Sequence, residues 1–323
     1  MSLFFGKRGF VRKLVLGVLR ERVALCLVLA LFMLFGIGYL RRDDPGQCID
    51  RRLGLAQCCD VVVAGDSRVF FGVSTIVMER ELPGLRVINY GFFGNGYSDE
   101  YLTSIEKMFD PASRQKIVVL GITPSSLTAD SIKHNSFIAE KQRLASQTVL
   151  ERYSRESLAF TEPMRYGAFL HMFVPGERAD PVSFSDGQGR VVRPIRPEEA
   201  LGNYRLLFIG NPVADQAVDN LMDRVGEWRQ AGIGVYAFRP PTTRAMVELE
   251  QRMSGFDETG FKTRFAAVGG TWLDIDQYRY LSYDGSHLHS DGAIQLSIDL
   301  SDRIQAIQNG RPDLAQEAVL SSR

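Results

Sequence analysis

Hydrophobic positions in this chain follow two rhythms. Short runs rich in β-branched residues recur at Asp60-Val-Val-Val-Ala64, Arg86–Asn89, Lys116–Gly121, Gly234–Phe238 and Trp272–Ile275. Bounded by turn residues, such runs predict buried strands. Between them lie stretches with helical character: Ser74–Leu82, stopped by Pro83-Gly84; Ser98–Phe109, with Ser98 as N-cap; the amphipathic Asp215–Gln230; Arg244–Met253; and Ala293–Gln308. Strand and helix alternate, which predicts an α/β fold: a three-layer α/β/α sandwich around a mainly parallel sheet covered on both faces. Residues 125–204 interrupt the rhythm with His134, a predicted helix over Ala139–Glu156 and a Gly/Pro/Arg-rich stretch around Pro175–Pro197. They read as an insertion or lid within a domain spanning 58–310, followed by a frayed tail at 311–323.

The N-terminus has neither rhythm. Val23–Leu40 is an 18-residue run without a charge, the length expected of a transmembrane helix. Lys7, Arg8, Arg12, Lys13, Arg20 and Arg22 precede it within a basic segment, 1–22. The heavier cationic flank predicts a cytoplasmic N-terminus, with the domain beyond the 41–57 linker on the outer side of a bacterial cytoplasmic membrane. The apolar run exceeds the core of a cleavable signal peptide, and no A-x-A site follows it, so an uncleaved single-pass anchor is the preferred reading. An oxidising compartment would permit a bridge such as Cys48–Cys58; three unbridged thiols at Cys48, Cys58 and Cys59 is the other reading.

Lys plus Arg and Asp plus Glu number 38 each in 323 residues. This balance argues against a nucleic-acid partner. No His, Asp, Glu or Cys cluster has metal-ligand spacing, so neither metal nor other cofactor is expected.

Two segments carry candidate chemistry. Gly65-Asp66-Ser67-Arg68 falls where the first strand stops, the side on which open parallel sheets bind ligands. A hydroxyl there, near a helix start, meets oriented backbone N–H groups suited to an oxyanion. The second segment, Tyr283-Asp284-Gly-Ser-His287-Leu288, places a carboxylate three residues before an imidazole in a loop. Asp284 could orient one ring nitrogen while the other takes the proton of Ser67. His287 is preferred to His289 as the base, and Asp66 is read as stabilising its turn. Arg68, Asn95 and Arg239 are candidates for substrate contact; for Arg68 the alternative is a surface salt bridge, and for Arg239 a structural role.

Taken together, these blocks resemble the SGNH/GDSL hydrolase superfamily. Val62-Val-Ala-Gly-Asp-Ser67 matches its nucleophile block. Asn89-Tyr-Gly91-Phe-Phe-Gly94-Asn95 is similar to the second block, and Asp284-Gly-Ser-His287 matches the last. The resemblance implies a flavodoxin-like sandwich, catalytic Ser67, Asp284 and His287, and an oxyanion site built from the backbone N–H groups of Ser67 and Gly94. The third block departs from the family's G-x-N-D: Gly121-Ile-Thr123-Pro124 puts Thr123, with its shorter donor, where an Asn donor is expected. Loss of one oxyanion donor costs about 10²–10³ in rate. The layout of one span plus an exported domain resembles the membrane-anchored branch that modifies envelope polysaccharides, including alginate O-acetylation proteins. It implies an acylated sugar or polysaccharide substrate and a multi-spanning membrane O-acyltransferase as partner. The alternative is a non-catalytic polysaccharide-binding or scaffold component of a membrane acylation complex.

Overall fold

The computed structural model describes residues 57, 59–146 and 196–310. The predicted span Val23–Leu40, Cys48, Cys58 and the tail lie outside the described residues. Five parallel strands form one sheet: β1 (Val61–Gly65), β2 (Val87–Gly91), β3 (Ile117–Gly121), β4 (Gly234–Phe238) and the two-residue β5 (Thr271–Trp272). Their order is β2-β1-β3-β4-β5. The helices are α1 (Ser67–Gly72), α2 (Thr75–Glu81), α3 (Asp99–Glu106), α4 (Ala129–Lys133), α5 (Ser136–Ser146), α6 (Pro197–Phe208), α7 (Asp215–Gln230), α8 (Arg244–Met253), α9 (Glu258–Ala267) and α10 (Ser290–Gln308), with a 3-10 turn at Pro124–Leu127.

Strand side chains alternate between two faces, and both are covered. Val62, Ala64, Tyr90, Val118, Leu120 and Val235 join a core with Leu102 and Ile105 of α3, Leu221 and Val225 of α7 and Phe265 of α9. Val61, Val63, Val87, Val119 and Phe238 join a second core with Val69 of α1, Met78 of α2 and Leu296, Leu300 and Ile304 of α10. The expected α/β sandwich with a parallel sheet is therefore present.

The differences lie in short or weakly patterned elements. A separate helix, α1, precedes α2, and Ser74 caps α2 by accepting from Val77 N. The last strand is shorter than Trp272–Ile275. Helices α4, α6 and α9 were not expected. In α9 the sequence Glu-Thr-Gly-Phe-Lys-Thr-Arg-Phe-Ala-Ala sets only Phe261 and Phe265 fully inward, too thin a stripe to stand out. The break after residue 125 begins with short helices, and α5 starts earlier than Ala139. Cys59 is buried at the entry to β1, where its Sγ donates to Met108 O at 3.0 Å.

Three strands end in glycine in the same register: Gly65 pairs with Gly91 and with Gly121. A Cβ on Gly121 would stand 2.1 Å from Val69 Cγ2, and one on Gly91 would stand 2.6 Å from Phe70 N. Without those Cβ atoms, α1 lies directly against the strand ends, which sets the height of its first residue above the sheet.

Candidate active site

Ser67 is the first residue of α1. Asp66 caps the helix, with Oδ1 accepting from Arg68 N at 2.9 Å. The far end of α1 is held by Asn89 of β2, whose Nδ2 donates to Val69 O (2.8 Å), Val73 O (2.8 Å) and Phe70 O (3.2 Å). In the sequence Asn89 is recognisable only as the opening residue of the second block. Its structural part follows from position, because an Asn in a buried strand must find partners for its amide.

The loop between β5 and α10 brings the other two groups. His287 Nε2 stands 2.9 Å from Ser67 Oγ, a contact across 220 residues, and His287 Nδ1 stands 2.7 Å from Asp284 Oδ2. Asp284 Oδ1 accepts from Ser286 N (2.8 Å) and His287 N (2.7 Å). Burial raises the pKa of Asp284, but its hydrogen bonds from the His287 side chain and from the backbone N–H groups of His287 and Ser286 outweigh it. The net direction is below the ordinary carboxylate value. An ionised Asp284 only accepts, so the His287 proton belongs on Nδ1, and Nε2 is left to accept from Ser67 Oγ–H. The ring is fixed between Tyr283, stacked at 5.9 Å, and the edge of Phe71 at 5.5 Å. Gly285, at φ +84°, makes the turn, and its carbonyl accepts from Thr243 N and Oγ1. His289 caps α10, accepting from Asp291 N, and is not part of this line.

Gly94 lies in the turn after β2 at φ +54°. The neighbouring Phe93 packs on Phe70 and Phe71 at 5.0 and 5.1 Å, so this loop is pinned to the helix that carries Ser67. Ser67 N–H is at the first helical position, where backbone donors lack intrahelical acceptors.

Thr123 requires a correction. It is 0% exposed and its hydroxyl donates to Asp66 Oδ2 at 2.6 Å; Ser126 N bonds back to it at 3.2 Å. It caps the 3-10 turn and anchors the acid that caps α1. A hydroxyl has one proton, and this one is already used, so Thr123 is not an oxyanion donor in this arrangement.

Arg68 also departs from both readings offered for it. It is neither on the surface nor open to a ligand. Its Nη2 contacts Glu250 Oε1 at 2.6 Å, its Nε donates to Ser286 Oγ at 3.1 Å, and its guanidinium lies 4.9 Å from the Tyr204 ring centre. Burial lowers the guanidinium's proton affinity, but the Glu250 charge more than restores it, and the net direction is upward. Arg239 is buried in the same cluster, with Nη2 2.8 Å from Glu250 Oε2 and Nη1 paired to Glu258. Asn95 is buried, with Nδ2 directed to Gly65 O at 3.5 Å. All three candidates for substrate contact thus sit inside the protein. Sequence carried one unread signal for the Arg68–Glu250 pair: Glu250 lies on the apolar stripe of α8 with Met246, Val247 and Leu249.

The chain matches no protein-family model and no curated protein. Among solved structures it is similar to Est24, a carbohydrate acetylesterase from Sinorhizobium meliloti. That likeness has 12% identity and a TM-score of 0.36, over 76% of this chain and 99% of that one. It is also similar to a protein provisionally assigned as a platelet activating factor from Streptococcus pneumonia, at 11% identity and a TM-score of 0.34, over 84% and 96%. Similarity this loose carries no functional conclusion, and the chemistry rests on the side chains above.

Proposed function

We propose that this chain is a serine esterase or O-acyltransferase that works through an acyl-enzyme on Ser67. One observation carries the reading: Asp284, His287 and Ser67 form an unbroken hydrogen-bonded line at the carboxyl ends of the strands. In the first step Ser67 Oγ attacks an ester carbonyl as its proton passes to His287 Nε2. Asp284 stabilises the resulting imidazolium. The Ser67 and Gly94 N–H groups receive the oxyanion, and His287 returns the proton to the leaving alcohol. Water or a sugar hydroxyl then attacks acyl-Ser67 by the same route in reverse. The uncharged Val23–Leu40 run with its basic flank supports placing this chemistry outside a bacterial cytoplasmic membrane. We assign the substrate to acetylated or acylated envelope or exported polysaccharide, handled beside a multi-spanning membrane O-acyltransferase. Labelling with a fluorophosphonate tests the mechanism: wild type reacts and Ser67→Ala does not, whereas equal labelling of both removes the reading.

A second reading, a non-catalytic polysaccharide-binding or scaffold domain, is favoured by the use of the Thr123 hydroxyl on Asp66. Acetate release separates the two. Turnover of a chromogenic acetyl ester or an acetylated sugar, lost in Ser67→Ala, supports the enzyme; absence of turnover by folded wild type supports the scaffold.

A further inference from the structure

Arg68 immediately follows the proposed nucleophile, yet its side chain reaches the loop that carries the proposed base. Its Nε donates to Ser286 Oγ at 3.1 Å across 218 residues. Ser286 stands between Asp284 and His287, its own N–H donates to Asp284 Oδ1 at 2.8 Å, and its Oγ donates to Tyr204 OH at 2.8 Å. The other arm of the guanidinium is held by Glu250, which is fully buried and shared with Arg239. The backbone of the Ser67 helix is therefore tied by a planar, two-armed group to the backbone that sets the His287 ring. Phe71 of α1 also packs on the His287 ring, but two other hydrogen-bonded anchors of the 282–288 loop have a different reach: Ser282 Oγ donates to His287 O within the loop, and Thr243 binds Gly285 O from the start of α8. Neither connects to α1.

We propose that Arg68, acting through Ser286, is a positioning residue that holds Ser67 and His287 at proton-transfer distance. Glu250 and Arg239 fix the guanidinium so that its Nε faces the relay loop. The proposal rests on the acyl-transfer reading and adds to it a residue that touches no reacting atom. Misplacing a reacting group by about 1 Å can cost on the order of 10²-fold in rate. Slackening this tie should therefore act on kcat rather than on substrate affinity.

The test is a double-mutant cycle on the full chain in detergent, with Arg68→Lys, Ser286→Ala and the pair. It reads kcat and KM on a chromogenic acetyl ester and the thermal midpoint of each protein. Lysine keeps the charge beside Glu250 but lacks the second arm, and Ser286→Ala removes the acceptor for Nε together with the donor to Tyr204 OH while leaving the Arg68–Glu250 pair in place. The expected result is a roughly tenfold or larger fall in kcat for each single variant, with KM little changed. The double variant should be no slower than the worse single one, and loss of rate should not follow the thermal midpoint. Single variants with wild-type kcat, or losses that multiply in the double variant, overturn the positioning role while leaving the acyl-transfer reading intact. Should Arg68→Lys fail to fold, Ser286→Ala decides the question by the same kcat criterion. A folded wild type inert to both ester and fluorophosphonate refutes the acyl-transfer reading, and this inference with it.

Discussion

The two ends of the sheet use the same chemistry in opposite surroundings. Where the strands begin, Asp60 before β1 accepts from Arg86 N and Nε at 2.9 Å, and Arg86 Nη2 reaches Asp110 at 2.8 Å. The Arg86 side chain is 52% exposed. Where the strands end, the Arg68 and Glu250 side chains are 1% and 0% exposed, and Arg239 joins them. Water reaches the Arg86 side of the first cluster, although Asp60 itself is only 9% exposed, so these pairs are partly screened and clip strand starts at modest cost. The second has been taken out of water, which is expensive, and a hydrophobic replacement would often serve stability as well. What the buried cluster offers is fixed direction at the end that carries Ser67 and His287.

Four perturbations sharpen this contrast, beginning with the largest. Asp284→Asn should lower kcat by about 10⁴ by favouring the wrong histidine tautomer, whereas Asp60→Asn at the opposite end should leave kcat unchanged; ester kinetics on both proteins check the pair. Glu250→Ala leaves the buried Arg68 guanidinium without its carboxylate and Arg239 with Glu258 alone, and should cost about 3–5 kcal/mol in urea unfolding, while Arg86→Ala should move the midpoint far less. Equal shifts would erase the distinction between the ends. Gly91→Ala places a Cβ 2.6 Å from Phe70 N; lifting α1 to relieve it should cost about 1–3 kcal/mol and slow fluorophosphonate labelling of Ser67.

The smallest effect concerns acid. The Arg86 side chain's hydrogen bonds, with lesser help from its backbone N–H and charge, hold Asp60 at about 2. A depressed carboxyl stabilises the fold above the ordinary carboxylate range, and that contribution disappears as pH falls through about 2. Asp284 is shifted in the same direction. Thermal midpoints measured from pH 5 down to pH 2 should therefore fall, and the fall should be shallower in Asp60→Asn.

Much of the scaffold was legible along the chain. All five strands start within about one residue of the expected runs, although β5 stops earlier than expected, and α7 and α8 match the expected bounds. Runs of Val, Ile and Leu covered on two faces declare themselves without partners. Helix α9 and the start of the interruption did not, because two inward phenylalanines or a single capped turn leave little pattern. At the candidate site, the nucleophile block and the Asp-x-x-His spacing were readable because each is local: Asp284 and His287 are joined by one tight turn, and Ser67 follows a strand end. Arg68, Thr123 and Asn95 were misjudged because their surroundings are not local.

By itself, the sequence determined the α/β order, the ends of most strands and the side-chain types from which a Ser-His-Asp line can be built. These follow from hydrophobic period, turn residues and short spacing. Only the tertiary structure decided that Ser67 and His287 meet, that Thr123 gives its proton to Asp66, and that Arg68 is buried against Glu250 and Ser286. A side chain's hydrogen-bond partner and its access to water depend on residues far away in the chain, and packing alone brings them together.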